Sequence, residues 1–160
     1  MTTIIHAPAW TAGVLAWLAG QPENCACAIV FPSYRPDLVE QLATAANARF
    51  CDYRKLKMAP LGWQAANLTL DILSSTAEEE MDNGKDVVLH NVEAMLSLVT
   101  REKREGWLEQ TAMRAWPRRL ILPLTLYAHD LPACMIDHVH ELQAAALPGD
   151  GVLQRVAGLR

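Results

Sequence analysis

Short apolar runs alternate along this chain with longer stretches in which apolar residues recur at helical spacing. The runs at 25–31, 49–53, 86–90 and 118–127 predict four strands. The first of them is bounded by turn residues and fits a strand buried on both faces. The spacing predicts helices over 8–20, 36–48, 63–81, 101–116 and 131–147. Residues 151–159 fit either a closing strand or a tail.

Strands that alternate with helices favour an α/β fold, in which a mostly parallel sheet of four or five strands carries helices on both faces. In such sheets ligands normally bind at the carboxyl ends of the strands. Residues 31–35 and 91–93 follow two predicted strands and are expected at that edge. No repeat or low-complexity linker interrupts the pattern, so residues 1–160 are interpreted as a single domain.

The composition, with 51% hydrophobic and 20% charged residues, excludes a disordered chain. The net charge of −4 gives no electrostatic reason to expect nucleic acid as the main partner. No basic residue precedes the apolar stretch at 7–20, which is also too short to span a bilayer. We therefore expect a cytoplasmic protein without membrane contact.

The chain has four cysteines, Cys25, Cys27, Cys51 and Cys134, and their spacing forms no CxxC pair. We interpret them as reduced core residues, and we expect no metal or other cofactor. A nucleophilic pair of Cys51 with His90 on neighbouring strands is an alternative, against the interpretation that both are buried strand residues.

The segment Phe31–Leu38 has the place and length of the phosphate-binding motif GxxxxGK[ST], between a strand and its helix. Phe31 and Pro36 stand at the two glycine positions, Asp37 at the lysine position and Leu38 at the hydroxyl position. Proline removes a backbone donor, and the aspartate would repel phosphate. This loop therefore lacks the chemistry that holds nucleotide phosphates.

The second half of such a site is an acidic residue at the end of a later strand. Here His90 ends the strand at that place, and Asn91 and Glu93 follow it. Glu93 could polarise water, but without a phosphate loop a helix-start or interface role is favoured. We predict that the domain does not hydrolyse ATP.

The order of elements resembles a P-loop or RecA-like core, and residues 26–127 resemble the BrxF family of bacterial phage-exclusion (BREX) systems. Members of that family pair a glycine-rich loop with a strand that ends in an Asp-Asn-Ile-Glu-like sequence. Asn91 and Glu93 match that sequence with Val92 as a conservative change, whereas His90 and the segment Phe31–Leu38 depart from it. The resemblance implies a bacterial accessory subunit with a role in phage defence or another multi-protein system, and no catalytic residue is carried over.

Two other groups of residues could form a binding site, one for a metal ion and one for nucleic acid. A metal site would draw on the cluster near the C-terminus, but the favoured interpretation is surface histidines. Its members are His129, Asp130, Asp137, His138 and His140.

A nucleic-acid site would use Arg114, Arg118 and Arg119, with Trp107 and Trp116 as stacking surfaces. Interleaved acidic residues favour a salt-bridged exposed face instead.

Protein contact is the favoured function. The helix over 8–20 is apolar on nearly all sides, so Trp10 and Trp17 are candidates for contact with a partner or a second copy. Tyr34, Arg35 and Asp37 are further candidates at the expected ligand edge. The sequence thus predicts a non-catalytic adaptor or regulatory subunit. The alternatives are an atypical nucleotide binder that contributes Arg35 and Glu93 to a shared ATP site, and a nucleic-acid-binding module.

Overall fold

The computed structural model describes residues 7–149. Within that range the strands are β1 (Ala26–Val30), β2 (Arg49–Asp52), β3 (Val87–His90), β4 (Leu120–Leu124) and β5 (Val139–Glu141). The α-helices are α1 (Ala12–Ala19), α2 (Pro36–Ala45), α3 (Leu70–Glu80), α4 (Val92–Leu96) and α5 (Arg101–Met113). Tighter or wider helical turns cover Ala9–Thr11, Arg54–Met58, Ala59–Asn67, Ala128–Asp130, Ala133–His138 and Ala144–Ala146.

The strands form one sheet in the order β2-β3-β4-β1-β5, and every neighbouring pair is parallel. The predicted fold class is confirmed, and the topology is consistent with a RecA/P-loop-like α/β fold. The loops after β1, β3 and β4 consequently meet at one edge of the sheet, which we call the carboxyl edge.

Alternate residues of β1 face two separate apolar clusters, as expected for a strand buried on both faces. Cys27 and Ile29 pack with α1 and α2, whereas Ala26 and Ala28 face the side covered by α3, α4 and α5. The fully buried helix residues on the two sides include Leu38, Leu42, Leu73, Met95 and Leu108. Helices on both faces were predicted and are observed.

The helix predicted over 63–81 is wrong in its first part. Gly62 has φ 57° and ψ −130°, a conformation that only glycine adopts readily, and it interrupts the 3-10 segment Ala59–Asn67. Leu68 and Thr69 are extended, and α3 begins only at Leu70. Because the backbone is extended there, both Leu68 and Leu70 pack on the core. Their burial outweighs the helix propensity of the segment.

The helix predicted over 131–147 is also wrong, because β5 lies within it. Val139 stands opposite Ala28 and Glu141 opposite Val30, and the Leu142 N–H donates to the Val30 carbonyl at 2.9 Å. The free side of β1 offers backbone partners that a helix here would leave unused. The closing strand or tail predicted over 151–159 lies outside the described residues.

The other boundaries are close to prediction. β1, β2 and β3 lie within one residue of the predicted ends, and β4 is trimmed at both ends of 118–127. Within residues 7–149, none of the helices is both long enough and apolar enough to cross a membrane.

Candidate functional site

A cavity of about 380 Å³ lies at the carboxyl edge. The loop after β1 contributes Phe31, Tyr34 and Arg35, the end of β3 contributes His90, and the segment after β4 contributes Leu126. Parallel sheets place strand ends and the following loops together, so this convergence follows from the topology. The structure thus brings together several of the side chains that the sequence singled out.

His90 lies between two aromatic rings. Tyr34 stacks on it with ring centroids 5.7 Å apart and planes at 15°, and Phe50 of β2 stacks at 5.5 Å and 30°. The residue is 4% exposed, and within residues 7–149 its Nε2 is buried without a hydrogen-bond partner. Burial lowers the pKa of His90; the Asp52 carboxylate opposes this shift and Lys55 adds to it.

Asn91 connects three elements at this edge. Its backbone is left-handed, with φ 65°, a region that asparagine tolerates better than most residues. Its Nδ2 donates to Oδ1 of Asp52 at 2.8 Å, and its Oδ1 accepts from the Tyr34 hydroxyl at 2.9 Å. The side chain therefore ties the end of β3 to both the end of β2 and the loop after β1.

Arg35 and Asp37 pair with each other at the start of α2. The Arg35 Nε and Nη2 donate to the two Asp37 oxygens at 3.1 and 2.9 Å, and Nη1 donates to the Pro148 carbonyl at 2.8 Å. The Arg35 side chain holds the pKa of Asp37 below its usual range. Pro36 occupies the first turn of α2, where its missing N–H costs nothing.

Glu93 acts as an acceptor for backbone donors. One carboxylate oxygen accepts from the Thr125 N–H at 2.8 Å, and the other accepts from the Tyr127 N–H at 2.7 Å. These bonds hold the segment after β4 against the start of α4. Glu93 is thus a helix-start residue that organises a loop, the role favoured over water activation.

Trp10 and Trp17 both make contacts within the domain. The Trp10 Nε1 donates to Gln41 at 2.9 Å, and its ring meets Phe31 edge-on at 6.4 Å. Trp17 packs against His140, with ring centroids 5.2 Å apart. Both indoles are half-buried, so only part of each remains for a partner.

The three arginines considered for nucleic acid are paired with carboxylates. Arg114 binds Glu78, and Arg118 and Arg119 both bind Asp86.

Trp107 and Trp116, the two indoles considered as stacking surfaces, are buried. The Trp107 Nε1 donates to Ser74 Oγ at 2.8 Å, and the Trp116 Nε1 donates to the Thr111 carbonyl at 3.1 Å. Their ring faces are therefore not open to bases.

The histidine cluster near β5 is spread over separate contacts. His138 bonds Gln21 through Nδ1 at 2.6 Å, and His129 lies 3.6 Å from Asp130. Among the described residues, no three His, Cys, Asp or Glu side chains are grouped so as to hold a metal ion.

Cys51 does not pair with His90. It stands opposite Leu89 in the β2–β3 register, so it faces the other side of the sheet from His90. Burial, together with Glu80, raises the pKa of Cys51 to about 12. Such a thiol is not a nucleophile at neutral pH.

No protein-family model matches this chain, and no curated protein matches it either. The resemblance to the BrxF family stays a prediction from sequence.

Sequence reasoning missed Phe50 and Asp52 as parts of this edge. Alternation along β2 places both on the same face as His90, but only the β2–β3 register, with Asp52 opposite His90, brings them to it. Trp63 was predicted at the start of a helix, whereas it follows the kink at Gly62 and is exposed.

Proposed function

We propose that this chain is a non-catalytic adaptor or regulatory subunit of a bacterial multi-protein system that contacts a protein partner through its carboxyl edge. The observation that carries the proposal is the stack of Tyr34 on His90. The stack joins the loop after β1, which lacks phosphate-binding residues, to β3, which ends without a metal-binding carboxylate. The resemblance to the BrxF family supports phage defence as the setting.

Exposed apolar side chains around the cavity support a protein partner. Tyr34 is 58% exposed although its ring is stacked, and Leu126 is 63% exposed. Both line the same cavity and are held by hydrogen bonds or by the loop that Glu93 organises. A rigid aromatic residue beside an exposed aliphatic one is typical of an interface anchor.

The first experiment is size-exclusion chromatography with light scattering, with and without Mg-ATP, combined with a thermal melt. The mass and the melting temperature are expected to be unchanged by Mg-ATP. A stabilisation that saturates with Mg-ATP would contradict the proposal.

The contact surface is tested by co-purification with the proteins encoded in the same operon. The double variant Tyr34→Ala with Leu126→Ala is expected to lose the co-purifying protein. Met113→Ala is the matched control, because this exposed residue ends α5 away from the carboxyl edge. Equal recovery with the double variant and the control would overturn the assignment of the surface.

The cavity itself favours a second candidate, an atypical nucleotide binder that completes a shared ATP site with Arg35 and Glu93. Against it, both side chains are already engaged within the chain. The variant Glu93→Gln separates the two ideas. A shared site predicts loss of ATP turnover by the assembled complex, whereas a purely structural role predicts a lower unfolding midpoint and unchanged turnover.

A further inference from the structure

The segment between β2 and α3 protrudes as two helical turns that pack against each other. The first is the π-helical turn Arg54–Met58, and the second is the 3-10 segment Ala59–Asn67. We call residues 54–63 the basic turn. Met58 packs against the core, whereas Leu56, Leu61 and Trp63 are exposed.

Trp63 is 85% exposed, more than any other large hydrophobic side chain in the described part of the chain. The residue before it, Gly62, has φ 57° and ψ −130°, and a Cβ added there would meet nothing within 4 Å. Glycine is therefore needed for the backbone conformation and not for space. The fold maintains a glycine-dependent kink that carries an open indole.

The basic turn also carries three cations, Arg54, Lys55 and Lys57. Within residues 7–149 none of them forms an ion pair, in contrast to Arg114, Arg118 and Arg119. No Asp or Glu occurs from residue 53 to residue 70. This is a local positive patch on a chain of net charge −4.

Two carboxylates beside the patch, Asp52 and Glu80, form no ion pair with its cations. Asp52 accepts hydrogen bonds from the Asn91 side chain and the Lys55 backbone, and Glu80 pairs with Arg49. The three cations are therefore without a carboxylate partner in the described part of the chain.

We propose that the basic turn binds single-stranded nucleic acid. Unpaired cations select a polyanion, and an open indole adds stacking on rings that a single strand offers and a duplex or an acidic peptide does not. The basic turn adjoins the carboxyl edge, because Arg54 also lines the cavity there. Lys55, Lys57 and Trp63 do not line that cavity, and the proposal does not depend on the function proposed for the edge. The site also differs from the arginines that the sequence suggested, which are paired.

The test is fluorescence anisotropy with a labelled oligothymidylate of about 15 nucleotides. Three phosphate contacts predict a slope of about −2 in a plot of log affinity against log salt. Trp63→Ala is expected to weaken binding about 10-fold, and Trp63→Phe is expected to restore most of it. Binding that is independent of salt, or equal for wild type and Trp63→Ala, would overturn the proposal.

The charge requirement is tested with the triple variant Arg54→Gln, Lys55→Gln and Lys57→Gln. It is expected to bind at least 10-fold more weakly at low salt and to lose the salt slope. The control Lys85→Gln with Lys103→Gln removes two exposed lysines that form no ion pair among the described residues, and it is matched to the double variant Lys55→Gln with Lys57→Gln. Equal losses in this double variant and the control would show that only net charge matters, against the proposal.

Two further probes separate the classes of polyanion. A duplex of the same length and a labelled poly-L-glutamate are both expected to bind more weakly than oligothymidylate and to be insensitive to Trp63→Ala. Poly-L-glutamate binding as tight as oligothymidylate would replace the proposal with an acidic protein segment. Gly62→Ala keeps every recognition side chain and is expected to weaken oligothymidylate binding through the kink alone; unchanged binding would contradict a role for the kink.

Discussion

The Tyr34 hydroxyl donates a 2.9 Å hydrogen bond to Oδ1 of Asn91, and this bond joins the loop after β1 to the end of β3. In a nucleotide-binding sheet these two places hold the phosphates and the metal. In this protein the side chains at these two places contact each other instead, because the Tyr34 ring also stacks on His90, the residue before Asn91. The bond therefore contributes to a closed edge made of the protein's own side chains.

Replacing Asn91 by glycine and by alanine should lower the stability of the fold by different amounts. Both substitutions remove the bonds to Tyr34 and Asp52, but only alanine adds the cost of a left-handed backbone at φ 65°. We expect Asn91→Ala to be less stable than Asn91→Gly by about 1 kcal/mol. The measurement is urea unfolding of both variants, and equal midpoints would show that the backbone does not require the left-handed region.

His90 should make stability depend on pH. Burial lowers the folded-state pKa of His90 below the ordinary value of 6.5, so the unfolded chain binds the proton more readily. The contribution is therefore fully present above pH 6.5 and is lost as pH falls from there through the folded-state pKa. Unfolding midpoints measured from neutral pH down to about pH 5 should decrease more steeply for wild type than for His90→Phe.

The control for that series is His140, whose pKa is also lowered by burial. His140→Phe should remove only its own contribution and leave that of His90. A His90→Phe variant with the same pH dependence as wild type would mean that His90 is not buried as a neutral group.

The four predicted strands depended on local signals, and so they were found from sequence. Ala26–Val30 is apolar throughout and ends in a turn, and such runs identify buried strands without any tertiary information. β5 could not be found in this way, because His140 and its neighbours form a strand only where the free side of β1 is available. The helical spacing of apolar residues in 131–147 predicted a helix instead.

The sequence predicted where the candidate site lies, but not which side chains contact each other there. Topology alone put Tyr34 and Asn91 at one edge. The ring of Phe50 behind His90 depends on strand register, and the pairing of Arg35 with Asp37 depends on side-chain conformation within a loop. Periodicity contains neither kind of information.

The two ion pairs of Asp130 should differ in what they contribute to the free energy of unfolding, because their arginines differ in burial. Its side chain is 1% exposed and contacts Arg104, which is 16% exposed, and Arg101, which is 68% exposed. Arg104 also donates to the Val99 carbonyl at 2.9 Å and lies 4.3 Å from the centre of the Tyr127 ring.

We expect Arg104→Ala to destabilise the fold by about 3 kcal/mol, because it leaves a buried carboxylate without its buried partner. Arg101→Ala is the matched control and should leave the midpoint nearly unchanged. Arg104→Lys should be intermediate, since lysine keeps the charge but not the planar contact with Tyr127. Chemical denaturation measures all three, and equal effects of the two alanine variants would contradict the structural ranking.

The four cysteines should react with Ellman's reagent in an order set by burial. Cys134 is exposed and should react first, and half-buried Cys25 should follow. Burial raises the pKa of Cys51 to about 12 and also raises that of Cys27, so at pH 8 neither holds an appreciable fraction of thiolate. These two should react only in denaturant, and Cys134→Ser should abolish the fast phase. A fast phase that Cys51→Ser removes instead would show that Cys51 is accessible and ionised, and would contradict its burial as an unreactive thiol.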